Sequence, residues 1–140
     1  MKILVSACLL GENCKYSGGN NYNEKILEFI KDKEVIPVCP EVAGGLPTPR
    51  TPAEIVNGVV TTKDGYVVDK EFRLGAKRII DEIEPKDIEY AILQARSPSC
   101  GSIQVYDGTF SGKLIDGQGI FAKALKDLGI KIIDSSEFIS

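Results

Sequence analysis

Four cysteines stand in a chain that contains no histidine. Cys8 and Cys14 are separated by five residues, whereas Cys39 and Cys100 are each isolated. Thiols in a reducing cytosol stay reduced, so cysteines there point to metal binding or catalysis rather than disulfides. The lack of histidine removes Ser-His and Cys-His nucleophile pairs, the commonest proton shuttle, and every mixed Cys/His zinc site. The absence of a Cys-x-x-Cys pair argues against thioredoxin-like chemistry. Structural zinc sites usually draw their ligands from close pairs, and only Cys8 and Cys14 approach that pattern. Scattered thiolates suit a four-iron cluster better, because its irons face different directions. If only three cysteines bind, one iron stays open to a substrate. Two other readings remain at this level: a non-catalytic structural zinc- or cluster-binding module, and a thiol enzyme with Cys14 or Cys100 as nucleophile.

Such a site requires a fold that gathers distant residues. Lys2 to Ala7 is a short apolar run that reads as a buried strand. Gly11 to Asn21 is a loop, and Asn23 is placed to cap a helix running to about Lys31, with Ile26, Leu27 and Ile30 on one face. Val35 to Val38 is a second strand. Cys39 to Pro52 carries four prolines and reads as a stiff, irregular loop, with Gly44 and Gly45 allowing an unusual backbone turn. Asn57-Gly58 and Asp64-Gly65 punctuate β-branched runs from Ala53 to Val68, the pattern of a small antiparallel excursion. Asp69 is expected to cap a helix ending before Pro85, with Phe72, Ala76, Ile79, Ile80 and Ile83 aligned. Ile88 to Leu93 is a third strand, Ser97 to Ser102 a second tight loop, Gly119 to Leu128 a helix stopped by Gly129, and Ile130 to Ile133 a fourth strand.

Strands that alternate with helices imply an α/β fold: a single compact domain over residues 1–140, with a mostly parallel sheet, flanking helices in a Rossmann-like three-layer arrangement, and a small antiparallel hairpin excursion. Cys8 follows the first strand, Cys39 the second, and Cys100 lies just beyond the third. In an open parallel sheet the ends of the strands share one edge, and that edge is where such folds bind ligands. Cys8, Cys39 and Cys100 are therefore expected to converge. The loops holding Cys39 and Cys100 are rich in Gly and Pro and expose backbone N–H groups able to hydrogen-bond thiolate or sulfide. Cys14 is left as a fourth ligand, a neighbouring thiol, or a reactive group beside the cluster.

The composition fits this picture. Hydrophobic residues make up 43% of the 140 residues and charged residues 26%, as in a folded globule with its own core. With a net charge of −3 and dispersed Lys and Arg, no nucleic-acid partner is expected. No apolar run approaches the roughly 18 residues of a membrane span. Val5-Ser6-Ala7-Cys8 imitates a lipoprotein cleavage box, but the apolar stretch before it is far shorter than the roughly 7–15 residues of a signal. A cytoplasmic location is expected, with the oligomeric state left open.

Three motifs carry a resemblance. Ser6-Ala7-Cys8-Leu9-Leu10-Gly11 followed by Cys14-Lys15-Tyr16, then Cys39-Pro40-Glu41-Val42-Ala43-Gly44-Gly45-Leu46-Pro47-Thr48-Pro49-Arg50, and Ser97-Pro98-Ser99-Cys100-Gly101 are similar, in order, to motifs of the thiouracil desulfidase family, also known as domain of unknown function 523. The segment Gly117-Gln118-Gly119-Ile120-Phe121 fits as well. This chain departs from the family pattern at Lys15 and Ser17, where Arg and Asp are expected. The resemblance implies a 4Fe-4S cluster held by Cys8, Cys39 and Cys100, and a non-redox removal of sulfur from a thiolated nucleobase such as thiouracil, releasing sulfide. That reaction needs a general acid/base. Glu41, two positions from Cys39 and on the same side of an extended chain, is the candidate. Ser99 either donates a hydrogen bond to substrate or sulfide, or simply shapes its turn. Arg50 either holds a base oxygen or anchors its loop by bonding carbonyls.

Overall fold

Ile3, Leu4 and Val5 have no exposed surface, and they form the middle of a strand buried on both faces. This strand, β1 (Lys2–Ser6), lies at the heart of a four-stranded parallel sheet. On one side it pairs with β2 (Glu34–Val38), on the other with β5 (Ile88–Leu93), which in turn pairs with β8 (Ile132–Asp134). The structure, a computed structural model, describes residues 1–138. Alternation along the strands sorts the side chains into two cores. Ile3, Val5 and Ile92 pack with Ile26 and Ile30 of α1 (Glu24–Ile30). Leu4, Ala91 and Leu93 pack with Ala76 and Ile79 of α3 (Asp69–Glu82) and with Phe121, Ala122 and Leu125 of α4 (Ile120–Asp127). Helices thus cover both faces, the three-layer arrangement expected for a parallel sheet. No helix among the described residues is long and apolar enough to cross a membrane.

The strand order β2-β1-β5-β8 reverses direction at β1. The α1 crossover leaves β1 to one side, and the α3 crossover returns past it on the opposite face, which opens a crevice between the ends of β1 and β5. Pro37 is accommodated because β2 is an edge strand.

Local chemistry explains most boundaries. The Asn23 side chain accepts the Ile26 amide at 3.1 Å and starts α1 as expected. Asn57 (φ 49°) and Gly58 (φ 81°) form the tight turn between β3 (Ala53–Val56) and β4 (Val59–Thr62). Asp69 does not cap α3 but is its first residue. Its carboxylate instead accepts the Val60 amide at 3.0 Å and Arg73 Nε at 2.6 Å, tying the hairpin to the helix. The segment after Cys39 is not wholly irregular: Pro40–Ala43 forms a one-turn helix, α2, with Pro40 in the first turn, where its missing N–H costs nothing. A second hairpin, β6 (Gln104–Tyr106) with β7 (Leu114–Asp116), was not anticipated, and β8 starts two residues later than the apolar run suggests.

Gly44 and Gly75 explain how α2 is held. A Cβ on Gly75 would sit 1.8 Å from the Pro40 carbonyl oxygen, and one on Gly44 would sit 1.9 Å from that of Glu71. The backbones of α2 and α3 touch, so Gly44 serves close approach rather than an unusual turn; the left-handed conformation belongs to Gly45 (φ 93°).

Candidate active site

At the C-terminal edge of β1, the chain turns through a 3-10 segment, Ala7–Leu10, that carries Cys8. Gly11 (φ 97°) ends it, and the following loop returns so that Asn21 N donates to the Cys8 carbonyl at 2.9 Å. The Asn21 side chain donates to Cys8 Sγ at 3.4 Å. Cys39 stands directly before α2, at the end of β2. Cys100 sits in the loop after β5, whose shape is set by two partners. Ser97 Oγ accepts the amides of Ser99 (3.1 Å) and Cys100 (3.0 Å). The first amides of α4 are satisfied by the same loop: Ile120 N donates to the Pro98 carbonyl, and Phe121 N and Ala122 N donate to that of Ser99.

These three segments, with the Cys14 loop, line one cavity of about 550 Å³. Cys8, Cys14, Cys39, Cys100, Glu41, Ser99 and Arg50 all line it, so every site residue singled out in the sequence is found at one place. The sheet edge supplies Ser6, Val38 and Gln94, and the two hairpins supply Ala53, Glu54, Tyr106 and Phe110.

A chain of hydrogen bonds runs along the cavity, and its proton positions follow from counting donors. Both lone pairs of Ser97 Oγ are taken by the two amides, so its hydroxyl donates to Ser99 Oγ at 3.0 Å. Ser99, only 2% exposed, then donates to Glu41 Oε2 at 2.8 Å. Arg50 Nε donates to Glu41 Oε1 at 3.0 Å, with side-chain exposures of 8% and 15% for the pair. Arg50 also bonds the Pro47 carbonyl, Thr48 Oγ1 and the Cys14 carbonyl. Of the five N–H groups of a guanidinium, four are thereby engaged, which ties the Cys14 loop to α2 and leaves one N–H of this cavity-lining residue without an acceptor among the described residues.

The thiols are held as a set. None is in a disulfide. Burial pushes Cys100 up to about 12, against hydrogen bonds from Ser6 and Ser99 that pull it down. Burial, then the neighbouring Cys39, push Cys14 up to about 12. Cys8 is raised by burial, and its Asn21 hydrogen bond offsets only part of that. A raised thiol is a weaker nucleophile at neutral pH than an ordinary one. Bound to a cationic iron centre, Cys8 and Cys100 would be thiolates, with Asn21, Ser6 and Ser99 as hydrogen-bond donors to sulfur. Among the described residues no three His, Cys, Asp or Glu side chains gather closely enough to hold a single metal ion. Four thiols lining one cavity, with hydrogen-bond donors to the sulfurs of Cys8 and Cys100, are a donor set that fits an iron–sulfur cluster.

Sequence reasoning missed Asn21, Ser6, Ser97 and the cavity's hairpin wall. Ser97 lay inside a quoted motif, and its turn chemistry was the available signal. Asn21 has no signal in one sequence, because its role depends on a loop returning to its start.

Comparison with known proteins agrees with the geometry. Residues 3–137 match the family model described as 2-thiouracil desulfurase. The chain is 39% identical over 145 residues to the uncharacterized protein YbbK of Bacillus subtilis (strain 168), covering 96% of each chain. It is also similar to the solved structure of the 4Fe-4S-dependent thiouracil desulfidase TudS, with a TM-score of 0.90 and 38% identity over 97% of this chain and 91% of that one.

Proposed function

Because the chain belongs to the 2-thiouracil desulfurase family, we propose that it removes sulfur from a thiolated uracil, with Cys8, Cys39 and Cys100 holding a 4Fe-4S cluster. The observation that carries this reading is the cavity in which all four thiols meet the Arg50–Glu41–Ser99–Ser97 hydrogen-bond chain. The reaction exchanges the thiocarbonyl sulfur for a water oxygen and gives uracil and sulfide with no net redox change. A cluster with one iron free of cysteine supplies a Lewis acid that polarises the C=S bond.

The protein's own groups handle the protons. Glu41, paired with Arg50 at 3.0 Å, accepts the proton of the attacking water. Ser99 bridges Glu41 Oε2 and the sulfur side of the cavity, since its hydroxyl lies 2.8 Å from the carboxylate and 3.7 Å from Cys100 Sγ. With its O–H turned to the sulfur side, Ser99 gives its proton to the departing sulfide as its oxygen takes from Glu41 the proton abstracted from water, so the hydroxyl is regenerated. Ser97 keeps the Ser99 oxygen in place by donating to it. Arg50 orients Glu41, and its remaining N–H is available to a substrate oxygen. Cys14 lines the same cavity, and our reading makes it a neighbouring thiol, with Cys8, Cys39 and Cys100 as the ligands. A purely structural module has no use for a buried carboxylate–serine relay, which favours the enzyme.

The test is turnover. Anaerobically prepared protein given 2-thiouracil without a reductant is expected to release uracil and sulfide in equal amounts. Absence of sulfide release from protein with a full complement of iron would overturn the reading.

A further inference from the structure

The outer wall of the cavity contains an aromatic residue that no core packing explains. Phe110 belongs to neither hydrophobic core, yet it lines the same cavity as the four thiols. Its backbone is left-handed, with φ 56°. A bulky side chain rarely adopts that conformation, and residues held there tend to cluster at functional sites. Several contacts impose it. The Glu54 carboxylate, itself part of the wall, accepts both the Gly108 amide at 3.0 Å and the Phe110 amide at 3.1 Å. Gly108 lies against β3 so closely that a Cβ there would sit 2.6 Å from the Ile55 carbonyl oxygen. Asp107 Oδ1 accepts the Thr109 amide at 2.9 Å and its hydroxyl at 2.6 Å, closing the turn before Phe110. One hairpin thus grips the tip of the other and sets the ring at the cavity wall.

We infer that Phe110 is the stacking platform for the substrate's pyrimidine ring, and that Glu54 is the positioning residue that holds it there. The inference rests on the desulfuration reading and deepens it. The cysteines and the Glu41–Ser99 pair engage the sulfur and the carbon under attack, but they offer no surface to the flat face of a base. A planar base presents a π-face that stacks on a rigid aromatic side chain, and such stacking tolerates changes in ring substituents. Phe110 therefore governs binding of the ring, and the chemical step is left to the thiol side of the cavity.

Kinetics of the iron-loaded protein with 2-thiouracil separate the two parts. Phe110→Ala is expected to raise KM by roughly tenfold or more, with kcat within about twofold and iron content unchanged. Phe110→Tyr and Phe110→Trp are expected to stay near wild type, whereas Phe110→Leu behaves like Phe110→Ala. Glu54→Ala is expected to raise KM in the same direction, with Glu54→Gln near wild type because both amides donate to the one oxygen, Oε1, that glutamine keeps. If wild type turns over and both Phe110→Ala and Phe110→Leu retain its KM, the stacking role is overturned while the desulfuration reading stands. If Phe110→Leu alone retains it, bulk rather than aromaticity suffices, and the role is likewise overturned. If iron-loaded wild type releases no sulfide, the desulfuration reading fails and takes the stacking role with it.

Discussion

Replacing Gly75 by alanine tests how the cavity is assembled. In an exposed helix interior this change stabilises by about 1 kcal/mol, because alanine is the better helix former. Gly75 is buried against α2, and the sign reverses. The added Cβ would lie 1.8 Å from the Pro40 oxygen, 2.8 Å from the Pro40 carbonyl carbon and 2.9 Å from Gly44 N. All three atoms are backbone, so no side chain can swing aside. The α2–α3 contact must open by about 1.5 Å or more before ordinary contact distances are restored. Overpacking costs roughly 1–3 kcal/mol, and a clash among backbone atoms belongs at the top of that range or beyond. After the gain in helix propensity, a net loss of about 2 kcal/mol remains, which for a domain of this size lowers Tm by roughly 5–10 °C. The displacement also moves Cys39 and Glu41, which α2 carries, and breaks the 2.8 Å bond between Glu41 and Ser99. Thermal unfolding of the metal-free protein, followed by circular dichroism, reads the first effect, and iron retained after anaerobic purification reads the second. A Gly75→Ala protein with wild-type Tm and full iron would refute the close contact and the placement of Cys39 built on it.

Other consequences follow from the same geometry. Single replacement of Cys8, Cys39 or Cys100 by Ser is expected to strip the iron, whereas Cys14→Ser retains it; metal analysis of the four proteins decides each assignment separately. Glu41→Gln is expected to keep the brown colour of the cluster while slowing sulfide release by roughly 10²–10⁴-fold, and unimpaired turnover would remove Glu41 from the chemistry. Burial acts to raise the Asp69 carboxyl, but Arg73 and the Val60 amide outweigh it and hold the group below its ordinary 3.8. A depressed carboxyl contributes stability that is present above 3.8 and is lost as pH falls through the folded value. Denaturant unfolding should therefore weaken on acidification through that window, and Asp69→Asn should flatten this part of the dependence; an unchanged profile would show that the β4–α3 tie carries no such linkage.

The centre of the sheet was legible because β1 and the second half of β5 are buried on both faces. Ile3 to Val5 and Ala91 to Leu93 are short apolar runs, and the two neighbouring strands could be placed by the helices between them. That placement alone brought Cys8, Cys39 and Cys100 to one edge. The missed β6–β7 hairpin is three residues per strand, too short for alternation to register, and its tip is held by Glu54 reaching across from β3. Prolines obscured α2, since Pro at the start of a helix and Pro in a loop look alike in sequence. Asp69 was misassigned as a cap because its carboxylate serves a strand amide rather than its own helix. The two roles left open for Arg50 are both compatible with the structure: most of its N–H groups bond carbonyls, a hydroxyl and Glu41, and one remains.

The most direct test of the central claim is the iron and acid-labile sulfide content of wild-type protein purified without oxygen. The account predicts roughly four of each per chain, the content of a cubane cluster. Zinc in place of iron, or a metal-free protein that still releases sulfide from 2-thiouracil, would contradict it.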